Sequence, residues 1–99
     1  MKVHVRVTKT DIKKGIPESP TDCPIARALL RRHPQRFVEV SYNGEVALSE
    51  SGFSWKKSDY LRTSLPLEAR QFIENFDCGR DVQPFTFDLT FKPPKYLET

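Results

Sequence analysis

The sequence predicts an α+β fold, and three observations carry that expectation. Residues 2–8, KVHVRVT, alternate strictly between apolar and polar, the period of a half-buried strand. Asn43-Gly44 stands between two strand-like runs, a strong short-range hairpin signal. Two other segments, DCPIARALLRRH and SLPLEARQFIENFDCG, repeat their apolar residues at helical spacing between start and stop signals.

Each element follows in chain order. The first strand sets Val3, Val5 and Val7 against Lys2, His4 and Arg6. TKTDIKKG reads as one helical turn, with Thr8 or Thr10 as cap and Gly15 as its end. After the loop IPESPT, Asp22 is the expected N-cap of a helix from about 23 to 33. Pro24 falls in its first turn, where a missing N–H costs nothing, and Pro34 stops it. Ile25, Ala26, Leu29 and Leu30 form the buried stripe, and Arg27 and Arg31, four apart, share the exposed face.

RFVEVSYNGEVALS then predicts strands at 36–42 and 45–49 joined by a type I′ turn. The second helix starts near Pro66 and ends at Gly79, burying Leu65, Ala69, Phe72, Ile73 and Phe76 and leaving Glu68 and Glu74 wet. VQPFTFDLTF alternates again, with Phe85, Phe87, Leu89 and Phe91 on one side and Thr86, Asp88 and Thr90 on the other. The tail, 92–99, is an arm. The resulting order, β-α-β-β-α-β, is the ferredoxin-like pattern: a four-stranded antiparallel sheet with two helices on one face. An α+β fold with another strand order is the alternative. At 99 residues the chain makes one domain, 1–99.

Charge is distributed unevenly. Residues 1–36 carry nine Lys/Arg against three Asp/Glu, a net +6, and the remainder a net −3. Such a pattern suits an anionic partner at one end, or subunits meeting through opposite patches. No apolar run is long enough to cross a membrane, and MKVHVRV alternates where a signal peptide would be continuously apolar; a cytoplasmic protein is expected. Antiparallel helices would bring Cys23 and Cys78 to the same end of the molecule, where free, structural thiols are the expectation for that compartment.

Several chemistries find little support. His4, His33, Cys23 and Cys78 show no metal-ligand spacing, so no metal and no cofactor is expected. His4 and Asp88 could meet if the first and last strands pair, which reads as a cross-strand polar pair more readily than as an acid–base couple. There is no phosphate-cradling glycine loop. The open sheet face, His4, Arg6, Thr86, Asp88 and Thr90, lacks the rings that RNA-binding sheets use. Arg27, Arg31, Arg32 and Arg36 could still contact phosphates, which requires only positive charge.

SGFSWKKSDYLRTS differs in kind. The connection at 49–64 is longer than loops in small domains usually are, and long loops are more often functional. Trp55 and Tyr60 could stack on a planar base while Lys56, Lys57 and Arg62 meet phosphate. A second reading uses Phe53, Trp55 and Tyr60 as anchors on a protein partner. A third has Phe53 and Trp55 cover one sheet edge.

The head of the chain, Val3, Val5, Thr8, Asp11, Ile12 and Gly15 followed by Cys23-Pro24-Ile25-Ala26 with Ala28 and Leu29, resembles a set of small uncharacterised proteins of tailed bacteriophages and prophages. The later block strengthens the likeness, through Leu65, Pro66, Glu68, Ala69, Phe72, Ile73, Phe76, Asp77, Gly79, Pro84, Phe85, Phe87 and Leu89. The matching residues are nearly all core, cap or turn positions, so the resemblance implies fold and viral origin before activity. It also implies an accessory role, with action against host defences the leading class. The combined expectation is a non-enzymatic, homo-oligomeric protein of the host cytoplasm that sequesters an anionic nucleotide. Docking on a host protein and nucleic-acid binding through the arginine helix are the alternatives.

Overall fold

The computed structural model describes residues 2–34, 36–49, 52–53, 56 and 59–92. These form an α+β fold of three helices and five strands: β1 (Lys2–Val7), α1 (Lys9–Lys14), α2 (Pro24–Arg32), β2 (Phe37–Val40), β3 (Glu45–Ser49), β4 (Tyr60–Ser64), α3 (Leu67–Asp77) and β5 (Phe85–Thr90). The strands make two antiparallel sheets, β1-β5 and β2-β3-β4, rather than the expected continuous four-stranded one. Among the described residues a single bridge joins β4 to the chain just after β5, in which Arg62 and Lys92 exchange both backbone hydrogen bonds at 2.9 Å.

β1 pairs with the last strand, Val5 opposite Phe87 and His4 opposite Asp88, and so lies at an edge. Its alternation holds throughout: Val3, Val5 and Val7 are buried and their neighbours exposed. Exposed strand edges invite further pairing, and here the arginines of α2 occupy the carbonyls. Arg31 Nη2 donates to Arg6 O at 2.7 Å, and Arg32 Nη1 to His4 O at 3.2 Å. α2 packs against both β1 and β2, and α1 packs on α2.

Local signals shift by small steps from the sequence reading. Cys23, not Asp22, caps α2, its Sγ accepting from Ala26 N at 3.4 Å. The Asn43-Gly44 hairpin forms without a type I′ turn, which needs positive φ at both residues; here Gly44 has φ +86° and Asn43 does not. Gly44 N donates to Ser41 O, and Ser41 N to Glu45 O. This is the three-residue loop with a left-handed glycine, held by the Asn43 side chain, which accepts from Glu45 N at 3.1 Å.

A further strand lies within the stretch that read as a long connection. YLRTS pairs with β3, Tyr60 opposite Ser49 and Arg62 opposite Ala47, so the connection shortens to residues 50–59. α3 buries Ala69, Phe72, Ile73 and Phe76, as its spacing predicts. Phe72 meets Phe85 at 4.7 Å between ring centres, which seats α3 against β5. No helix of the described residues is long and apolar enough to cross a membrane.

Candidate functional site

The aromatic end of the β2-β3-β4 sheet is built by cross-strand register. Phe37, Ser49 and Tyr60 stand opposite one another on adjacent strands, and residues directly opposite share a face. Phe37 meets Tyr60 edge-on at 6.2 Å and Phe53 edge-on at 5.3 Å. Tyr60 is 8 % exposed, so its ring is not the open stacking surface expected of it; Phe53 is 73 % exposed. The open ring at this end is therefore that of Phe53, not of Tyr60. Beneath the rings the Ser49 hydroxyl is fully buried with no hydrogen-bond partner among the described residues.

The basic residues of this end divide. Lys56 is exposed. Arg62 is half-buried and donates through Nη1 to Glu45 Oε1 at 2.8 Å, so a phosphate there would compete with a carboxylate already in place. Trp55 and Lys57, two of the five expected ligand residues, lie outside the described residues.

Two arginines of the basic helix α2 turn toward a buried carboxylate. Asp11 is 1 % exposed, and its carboxylate receives Arg31 Nη1 at 2.7 and 2.9 Å and Thr8 N at 2.9 Å. Thr8 Oγ1 accepts in turn from Asp11 N, closing a capping box at the start of α1. Arg27 Nε stands 3.8 Å from the same carboxylate. Burial alone would push the Asp11 carboxyl up, yet the hydrogen bonds from Arg31 and Thr8 outweigh it and hold it below the ordinary carboxylate range. Arg31 therefore clamps α1 and β1 to α2, with Arg27 beside the same carboxylate, while both side chains stay partly exposed on the face that their spacing predicts. Arg32 is tied to β1, and Arg36 precedes β2.

On the open face of β1-β5, His4 Nδ1 and Asp88 Oδ1 are 2.7 Å apart, both side chains more than half exposed. The hydrogen bond to His4 holds the Asp88 carboxyl down. Its in-register neighbours are Lys2 opposite Thr90 and Arg6 opposite Thr86, an open polar surface. Among the described residues no group of three or more His, Cys, Asp or Glu is placed to hold a metal ion.

A pocket of about 480 Å³ opens at the other end of the β2-β3 hairpin, between the 18–20 loop, the start of α2, β2 with its turn, and the end of α3. Sequence reading did not find it, because its walls come from three stretches distant in the chain, 18–23, 39–42 and 73–77. Cys23 lines it, and burial pushes that thiol's pKa up, which opposes a nucleophilic role. Both Cys23 and Cys78 are free thiols, the first buried and the second exposed. No family model matches the chain, and neither does any curated protein or solved structure.

Proposed function

We propose that the protein is a non-enzymatic accessory protein of a tailed bacteriophage that acts in the host cytoplasm by sequestering an anionic, nucleotide-type ligand, a host immune signal being the leading class. The observation that carries this reading is Phe53, a ring largely open to solvent yet braced edge-on by Phe37. A braced, open ring offers a stacking face at little ordering cost, and base–aromatic stacking is worth about 1–3 kcal/mol per base. Lys56 lies close by in sequence, with Trp55 and Lys57 in the same connection to supply a second ring and a second cation. Arg62 contributes once the ligand displaces Glu45. A homo-oligomer would place two such ends together and close the site, which one small subunit leaves open.

Calorimetric titration with cyclic dinucleotides and ADP-ribose-type nucleotides tests the reading. Binding is expected for at least one class, weakened about tenfold or more by Phe53→Ala and by Trp55→Ala. Absence of both heat and thermal shift across the panel removes the proposal. The same exposed ring also favours a second reading, docking on a host defence protein with Phe53 as anchor; co-purification that is lost in Phe53→Ala but indifferent to added nucleotide selects it. The nucleic-acid alternative is weakened, since Arg31 spends its guanidinium on Asp11 and Arg6.

A further inference from the structure

The pocket at the hairpin tip has a chemistry opposite to that of the aromatic end. Glu18, Glu39 and Asp77 line it, and among the described residues no Lys, Arg or His does, although the chain as a whole carries a net charge of +3. The carboxylates come from three different segments: the loop before α2, strand β2 and the last residue of α3. Asp77 is fixed in place, its Oδ1 accepting from Glu18 N at 2.9 Å. Between them the wall is apolar, with Val40 and Ile73 buried. Tyr42 stands at the rim with 95 % of its surface exposed, a free aromatic face beside an acidic cavity.

Size and shape are those of a ligand site. Small-molecule pockets run from roughly 300 to 1,000 Å³, and this one, at about 480 Å³, falls inside that range. Glu39 is exposed and Val40 buried on successive residues of β2, and Val40 N donates to Pro20 O at 2.7 Å along the strand's outer edge, so the cavity is reached from solvent on the Glu39 side. Three separated carboxylates around an apolar wall call for several positive charges spaced along a flexible apolar stem. A single metal ion would need its ligands converging on one point, and a nucleotide would meet only like charge.

We infer that this pocket binds a linear aliphatic polyamine, its ammonium groups on Glu18, Glu39 and Asp77 and its methylenes along Val40 and Ile73, with Tyr42 covering one ammonium through its ring face. The site is independent of the aromatic end, and its failure or success leaves the nucleotide reading where it stands.

The test is calorimetry on the full chain in an amine-free buffer at low ionic strength, with spermidine as probe. Magnesium ion serves as the diffuse-charge control, and N-acetyl-lysine methylamide as the single-ammonium control. One saturable site per chain is expected, with spermidine at least about tenfold tighter than either control. Glu39→Gln and Asp77→Asn should each weaken spermidine about tenfold, a loss of about 1.4 kcal/mol, and Tyr42→Ala by less. Asn at 77 retains an oxygen for Glu18 N, so the loop is held while the charge is removed. Amide shifts at Glu18, Val40 and Ser41 on titration locate the ligand independently of these variants. No saturable heat, equal binding of spermidine and magnesium, equal binding of the lysine amide, or indifference to both carboxylate variants would each overturn the inference.

Discussion

The two ends of this molecule spend their polar groups differently. At the β1 edge the charges of Asp11, Arg31 and Arg32 are used internally. Asp11 is buried and receives three hydrogen bonds, Arg31 reaches both Asp11 and Arg6 O, and Arg32 caps His4 O. At the aromatic end the pattern reverses: Ser49 keeps a buried hydroxyl with no partner among the described residues, Phe53 faces water, and the ion pair of Arg62 with Glu45 is partly exposed on both sides. Surface pairs of that kind contribute about 0–1 kcal/mol, whereas removing one partner of a buried pair costs about 3–5 kcal/mol. The difference separates basic residues that hold the fold from those whose ion pairs contribute little to it. Positive charge in the sequence does not distinguish them; burial of the partner does.

The comparison breaks most visibly at Arg31. Arg31→Ala leaves the Asp11 carboxylate buried with Arg27 Nε 3.8 Å away as its nearest cation and uncaps Arg6 O. Arg31 is 46 % exposed, so water can partly replace it, and the expected cost is near the low end for a buried pair, about 3 kcal/mol. Urea unfolding followed by circular dichroism measures it. A loss below about 1 kcal/mol would place this pair with the surface ion pairs and dissolve the contrast.

Acid sharpens the same contrast. The Asp11 carboxyl titrates below its unfolded-state value of about 3.9. Its contribution is therefore fully present above the ordinary carboxylate range and is lost as pH falls through the lowered folded-state pKa. In Arg31→Ala much of that lowering disappears, so the stability gap between the two proteins should narrow on acidification below about pH 4. Unfolding curves collected from pH 7 down to pH 3 decide it. A gap that stays constant or widens shows that Arg31 acts through something other than the Asp11 charge.

Much of the frame was legible in the sequence, for reasons that also explain what was not. Val3, Val5 and Val7 and the face of α3 were readable because burial there follows a local period. Thr8 was readable as a cap, but the second role of Asp11 was not, since its guanidinium partner lies 20 residues away and the pairing exists only once α1 rests on α2. β4 was hidden because Tyr60–Ser64 runs from buried through half-buried to exposed without alternating. Tyr60 consequently read as a free ring when it is a strand residue packed on Phe37. The acidic pocket left no sequence signal at all, as Glu18, Glu39 and Asp77 look like ordinary surface carboxylates until the topology gathers them.

The smallest expected effect on stability is the most informative about function. Phe53 touches Phe37 edge-on, and such aromatic contacts add about 0.5–1.5 kcal/mol beyond area burial. With most of the ring already in water, Phe53→Ala has little burial to lose, and its unfolding free energy should fall by no more than about 1 kcal/mol. A structural role and a binding role then separate cleanly. If Phe53 merely covers Phe37 and the buried Ser49, Phe53→Leu, which restores an apolar cover, should behave as the parent in every assay. If the ring is a stacking face, Phe53→Leu should recover the stability and not the nucleotide affinity, because a branched aliphatic chain shields Phe37 but has no flat face to offer a base. Full affinity in Phe53→Leu would move the site away from this ring, to the connection that carries Trp55.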